Sequence, residues 1–152
     1  YEFDYRVRSA GHELLFDPEI HIDWDCRQQV VALFHQYRRY GAGKVQTLVQ
    51  HPESVGLRHL AAPGLVGALA LSVPLLARRR TRLLGAAVVA PYAALVATAT
   101  VRTVGELEEP ADRKWVAPAF VALHLGGGLG FWEEAVATAL GRGGARESLE
   151  AS

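Results

Sequence analysis

Two long stretches without a charged residue constrain this chain more than anything else in it. Leu60 to Ala77 runs for 18 residues and Leu83 to Val101 for 19, parted only by Arg78-Arg79-Arg80-Thr81-Arg82. A bilayer span needs about 20 predominantly apolar residues, with roughly 17 to 25 tolerated. The competing explanation is a buried helical hairpin in a soluble domain, but a surface helix of a small domain keeps one polar face. The spacing therefore predicts two membrane spans. A third uncharged run, Trp115 to Trp132, is interrupted by His124 and carries Gly126-Gly127-Gly128 and Gly130. Those glycines lower helix propensity, yet membrane helices accept glycine because it lets neighbours approach closely. A membrane region of two or three helices is expected over 57–140.

The remainder differs sharply. Residues 1 to 56 carry 14 of the charges, and the whole chain of 152 residues balances 16 basic against 16 acidic side chains. A net charge of zero offers no electrostatic case for nucleic acid. Cys26 is the only cysteine, which excludes an intramolecular disulfide or a cysteine-based zinc cluster; an inert, semi-buried thiol is expected. None of the apolar runs has the basic leader and small-residue cleavage site of a signal peptide. The Gly/Arg/Glu-rich tail at 141–152 has the composition of a disordered segment. The chain contains no methionine and opens in mid-pattern with Tyr1-Glu2-Phe3-Asp4-Tyr5-Arg6, so a fragment of a longer protein is expected.

Residues 1 to 56 read as short alternating elements. Phe3, Val7 and Ala10 recur at helical spacing, and Gly11 stands where a helix takes a left-handed end. A short apolar run, His12 to Phe16, closes on the turn pair Asp17-Pro18. Ile20, Ile22 and Trp24 then alternate with His21, Asp23 and Asp25, the period-two pattern of a half-buried strand. That polar strand face explains His12, His21, Asp23 and Asp25 better than a metal site does, because no ligand spacing is diagnostic. From Arg27 the period changes to that of a helix, with Val30, Val31, Leu33, Phe34 and Tyr37 on one face, broken at Gly41-Ala42-Gly43. A second short helix is expected over Lys44 to Gln50. With Arg38, Arg39 and Lys44 beside apolar anchors, this amphipathic stretch suits the headgroup plane of a membrane or the surface of the preceding soluble part.

These residues carry a family resemblance. Tyr1 to Gly11, followed by Phe16-Asp17-Pro18, resembles the segment just after the catalytic acidic pair of family-two glycosyltransferases. Gln36-Tyr37-Arg38-Arg39-Tyr40 resembles the Gln-x-x-Arg-Trp motif of the processive members, with Tyr in place of Trp. Gly41-Ala42-Gly43-Lys44, His51-Pro52, Arg58-His59-Leu60, His124-Leu125 and Gly128-Leu129-Gly130-Phe131 are similar to the succinoglycan-biosynthesis type of membrane glycosyltransferase. The resemblance covers roughly residues 1 to 135.

It implies a mixed fold: the carboxy-terminal remnant of an α/β domain of the GT-A type over 1–56, amphipathic interface helices included, then transmembrane helices. It implies transfer of a sugar from a nucleotide-sugar donor to a polysaccharide or lipid-linked acceptor, at the inner membrane, with the catalytic side cytoplasmic. A divalent cation, Mg or Mn, would neutralise the diphosphate leaving group, and a carboxylate would act as general base. In the family those groups fall before the position of Tyr1, so catalytic residues are not assigned here. Substrate contacts are expected from Gln36, Arg39 and Tyr40. Gln supplies a donor and an acceptor for sugar hydroxyls, Arg meets a diphosphate, and an aromatic stacks on a sugar ring. Glu2, next to the position of the acidic pair, is the fourth candidate.

Two further expectations concern the membrane region. His124, a polar ring at membrane depth, should face the bundle interior and find a partner. The Arg78–Arg82 turn should lie outside if the first span leaves the cytoplasm, against the positive-inside rule. Either the short turn overrides that rule or the first run is re-entrant, broken near Pro63 and Pro74. A non-enzymatic membrane scaffold and a transporter subunit are the alternatives to the enzyme.

Overall fold

The computed structural model describes residues 2–23, 26–54 and 56–142. Among them are five α-helices: α1 (Glu2–Ser9), α2 (Val30–Gln50), α3 (Ala61–Ala77), α4 (Arg82–Glu106) and α5 (Arg113–Ala139). Three 3-10 turns, Pro52–Ser54, Leu57–Leu60 and Pro110–Asp112, lead into the longer helices or join them.

Three helices are long and apolar enough to cross a membrane: Leu57–Ala77, Arg82–Glu106 and Pro110–Ala139, with mean hydropathy of 2.0, 1.8 and 1.3. Their burial decides between the two explanations of the apolar runs. Only 17 % of the first window, 6 % of the second and 33 % of the third is buried inside the protein. Leu71, Leu83 and Val101 are each more than 70 % exposed. Apolar surface facing water costs roughly 25 cal/mol per Å², so a hairpin this bare is built for lipid, and the chain is a membrane protein. The third run is a helix despite its glycines.

The first run is unbroken. Pro63 falls in the first turn of α3, where its missing N–H is harmless, and Pro74 lies inside a helix that continues to Ala77. A re-entrant break at either proline is therefore absent. The α3–α4 turn is closed by Thr81, whose hydroxyl donates to the Leu75 carbonyl at 2.9 Å, while Gly85 packs against Leu76 and Ser72.

The glycine run of α5 organises the bundle. Successive residues of an α-helix point about 100° apart, so three glycines in a row open three directions. Gly126 lies under Phe34, Tyr37 and Arg38 of α2; Gly127 faces Ala62 of α3; Gly128 meets Ala62 and Val66 of α3. Gly130 lies against the Arg38 backbone, and Gly41 of α2 sits on the backbone of Gly127 and Phe131. A Cβ would clash at Gly41, Gly126, Gly128 and Gly130, whereas at Gly127 it would only touch Ala62; membrane helices use small residues for such approaches. The buried apolar side chains are correspondingly few, namely Val45, Val66, Val116, Ala122 and Phe131.

Four expectations from the sequence need correction. No strand occurs among the described residues; 12–23 and 26–29 are irregular, with Ile20 and Ile22 mostly exposed. Alternation reports a half-buried face, but a strand also needs a partner strand, and none is present there. The GT-A remnant is thus not seen, and what is described is all helical. Second, α2 does not break at Gly41–Gly43 but runs 21 residues, because Gly41 is the contact with α5 and the packing outweighs its cost of about 1 kcal/mol. Third, α2 places Phe34 and Gly41 against α5, a membrane-capable helix not expected from the sequence as its partner. Fourth, Cys26 is exposed. The left-handed end of α1 is as expected, at Gly11 with φ +84°. Trp24, Asp25 and the tail from 143 onward lie outside the described residues.

Candidate functional site

The middle of α2 carries three of the four expected contact residues, and its helical spacing sorts them. Gln36 and Tyr40 are four apart and share a face; the Gln36 amide donates to the Tyr40 hydroxyl at 2.8 Å. Tyr40 is also in edge contact with Tyr37, with ring centroids 5.5 Å apart. The two arginines diverge. Arg38 turns to α5 and pairs with Glu133, its Nε donating to the carboxylate at 2.6 Å. Arg39 is exposed and, with Tyr37 and Tyr40, borders a cavity of about 890 Å³.

This cavity lies between α2, the Leu57–Leu60 turn and the start of α3, and α5. Arg39, Lys44 and His59 bring positive charge or N–H donors to it, while Ala62, Leu123 and Gly127 form its apolar part. His124 lines it too. As its depth predicts, that ring has a partner: the Tyr92 hydroxyl of α4 lies 3.4 Å from Nδ1, with the rings edge to face at 5.8 Å. One side chain thus links α4, α5 and the cavity.

The segments flanking the bundle are tied together elsewhere. Tyr5 of α1 donates its hydroxyl to Glu53 and stacks obliquely on His51, with centroids 5.0 Å apart. The Tyr5 hydroxyl holds the Glu53 carboxyl below its ordinary value of 4.5, helped by a backbone N–H and by His51. This contact anchors α1 to the chain just before the first span. Glu2 opens α1, and its side chain lies outside the described residues.

Gln36, Arg39 and Tyr40 are therefore together on one stretch of α2, with Arg39 and Tyr40 at one cavity. Sequence reasoning did not identify the Arg38–Glu133 and Tyr5–Glu53 pairs, separated by 95 and 48 residues; no local pattern links such distant partners. Gly126-Gly127-Gly128 lies in the middle of α5. No group of three or more His, Cys, Asp or Glu among the described residues could hold a metal ion; the resemblance puts the ligands of the expected Mg or Mn before the position of Tyr1.

The chain is 29 % identical over 137 residues to the succinoglycan biosynthesis protein ExoA of Rhizobium meliloti (strain 1021). The match takes in 88 % of this chain and 39 % of that relative, so the chain spans about two fifths of its length. No protein-family model matches the chain, and no solved structure matches it.

Proposed function

We propose that this chain is the membrane-associated carboxy-terminal part of a glycosyltransferase that moves a sugar from a nucleotide-sugar donor to a polysaccharide or lipid-linked acceptor. The observation that carries the reading is the arrangement on α2: Gln36 bonded to Tyr40, with Arg39 and Tyr40 at one cavity. The likeness to a succinoglycan biosynthesis protein over 88 % of the chain supports it. So do three helices able to cross a membrane, which would keep a growing glycan at the bilayer surface.

In such a transfer the bond from the anomeric carbon to the diphosphate breaks, and its electron pair leaves with the phosphate. A bond to the acceptor oxygen forms, and the acceptor's proton passes to a carboxylate base. Arg39 meets the diphosphate charge, for which a guanidinium fork is suited. Tyr40 offers its ring to a sugar face, and Gln36 fixes that ring by holding its hydroxyl. The base is expected before the position of Tyr1, and Glu2, beside it, is a fourth candidate substrate contact. The proposed site of action is the inner membrane, with the α2 side cytoplasmic.

The test is a transfer assay on membranes containing the complete product of the natural gene, with a panel of nucleotide sugars and a membrane lipid extract. Release of nucleoside diphosphate coupled to lipid- or polymer-bound sugar is expected. Arg39→Ala should lower kcat/KM at least tenfold, since a charged hydrogen bond is worth about 1.5–3 kcal/mol. Release from no donor, or an Arg39→Ala protein as active as the parent, would refute the reading.

A further inference from the structure

The cavity beside Tyr40 has a charge pattern that the α2 motif does not account for. Among the described residues its lining contains Arg39, Lys44, His59 and His124 and no carboxylate. The chain as a whole balances 16 acidic residues with 16 basic ones, so a hollow whose charged side chains, Arg39 and Lys44, are both cations favours an anion. Neither Arg39 nor Lys44 meets a carboxylate in an ion pair among the described residues. Arg38, next in sequence to Arg39, does. Lys44 and His59 are also half-buried, which strengthens their field relative to charges in open water.

The state of His59 follows from its hydrogen bond. Nδ1 accepts from the Gly56 backbone N–H at 3.0 Å, so the proton of the neutral ring is on Nε2 and His59 is a donor there. Arg58 Nε lies 3.4 Å from that nitrogen. Both atoms carry hydrogen, so this is not a hydrogen bond; it brings a further cation to the ring. Arg39 borders a second hollow as well, one that includes Glu133 and Glu134, which places the centre of the anion seat at Lys44 and His59.

Ala62 of α3 and Leu123 and Gly127 of α5 give the cavity an apolar side, with His124 a polar side chain among them, on two helices that can cross a membrane. An anion seat above an apolar floor, at the entry of the first span, matches an amphiphile whose phosphate stands at the level of lipid headgroups. We propose that this cavity binds a phosphate-bearing lipid, with Lys44 and His59 holding the phosphate and Arg39 at the rim. The inference rests on the cavity and not on glycosyl transfer, and its test reads binding alone.

The experiment titrates the full chain in phosphatidylcholine nanodiscs with dioleoyl phosphatidate and counts bound lipid by native mass spectrometry, with inorganic pyrophosphate as competitor. Phosphatidate should bind in preference to phosphatidylcholine. Lys44→Ala and His59→Phe should each weaken it about tenfold, the equivalent of about 1.4 kcal/mol, and Lys44→Arg should restore most of it. Arg80→Ala, which removes one charge from the α3–α4 turn, should leave it unchanged. Circular dichroism checks that the helices persist, and Lys44→Gln replaces Lys44→Ala if they do not. Displacement by pyrophosphate that depends on Lys44 supports a phosphate seat also open to solution. Lys44-dependent binding without displacement supports a lipid source. Equal losses from Arg80→Ala and Lys44→Ala, or no preference for phosphatidate, overturn the proposal.

Discussion

Replacing Gly126 by alanine tests the central packing claim, because the same chemical change elsewhere should do the opposite. A Cβ on Gly126 would lie 2.6 Å from the Phe34 carbonyl oxygen, 3.2 Å from Tyr37 Cβ and 3.3 Å from Arg38 N, where ordinary contact begins at 3.4 Å. The nearest obstacle is backbone, which cannot rotate away, so α2 and α5 must part locally by about 0.8 Å. Overpacking costs about 1–3 kcal/mol, and a backbone obstacle puts this site at the upper end. The better helix propensity of alanine returns up to about 1 kcal/mol. A net loss of about 2 kcal/mol follows. Gly64, on α3, has nothing within 4 Å of its Cβ position, so Gly64→Ala should be stabilising by up to about 1 kcal/mol. The assay is unfolding of the full chain in mixed micelles by dodecyl sulfate, followed by far-UV circular dichroism. Midpoints that move in opposite directions bear out the packing. A Gly126→Ala protein as stable as the parent, or one that shifts together with Gly64→Ala, would refute it.

Two further outcomes are expected. Arg38→Ala should cost only about 0.2–1 kcal/mol, because its ion pair with Glu133 is exposed. Unfolding with added salt should erase most of the difference from the parent. For the α1 anchor, the folded Glu53 carboxyl lies below its ordinary value of 4.5 because Tyr5 donates to it. A depressed pKa gives a contribution that is complete above the unfolded value and is lost as pH falls through the lowered folded value. Protection of α1 amides in hydrogen exchange, corrected for intrinsic rates, should therefore persist at pH 6 and fall away below about pH 4.5. Tyr5→Phe should weaken that protection at neutral pH and remove its pH dependence; unchanged exchange in the variant would contradict the anchor.

Gln36 and Tyr40 were legible in the sequence as separate candidates, and their bond to each other follows from local geometry. Residues four apart on a helix share a face wherever the helix goes. Helix α1 and its end at Gly11 were legible for the same reason. The break predicted at Gly41–Gly43 was a misreading of the same residues. Propensity counts a glycine as a weak point, whereas in the structure Gly41 is the place where another backbone passes. The strand expected from Ile20 onward failed over its described part, 20–23, on a different ground, since alternation does not supply a partner strand. Lys44 was visible as a cation near a membrane and His59 as part of a resemblance, but nothing in sequence put them at one cavity.

Chain chemistry alone marks which parts of this protein can meet lipid. An uncharged run of 18 or 19 residues suits a bilayer span or a buried hairpin, and the exposure of these helices in the fold decides for lipid. Chain chemistry does not settle which helix lies on which. That depends on where backbones can approach, and only the folded bundle turns Gly126, Gly127, Gly128 and Gly130 into contacts with α2 and α3. Those close crossings bring Arg39 and Lys44 of α2 to the same hollow as His59 and as His124 of α5. The candidate site is thus a product of helix packing, because its walls come from segments that share no local pattern.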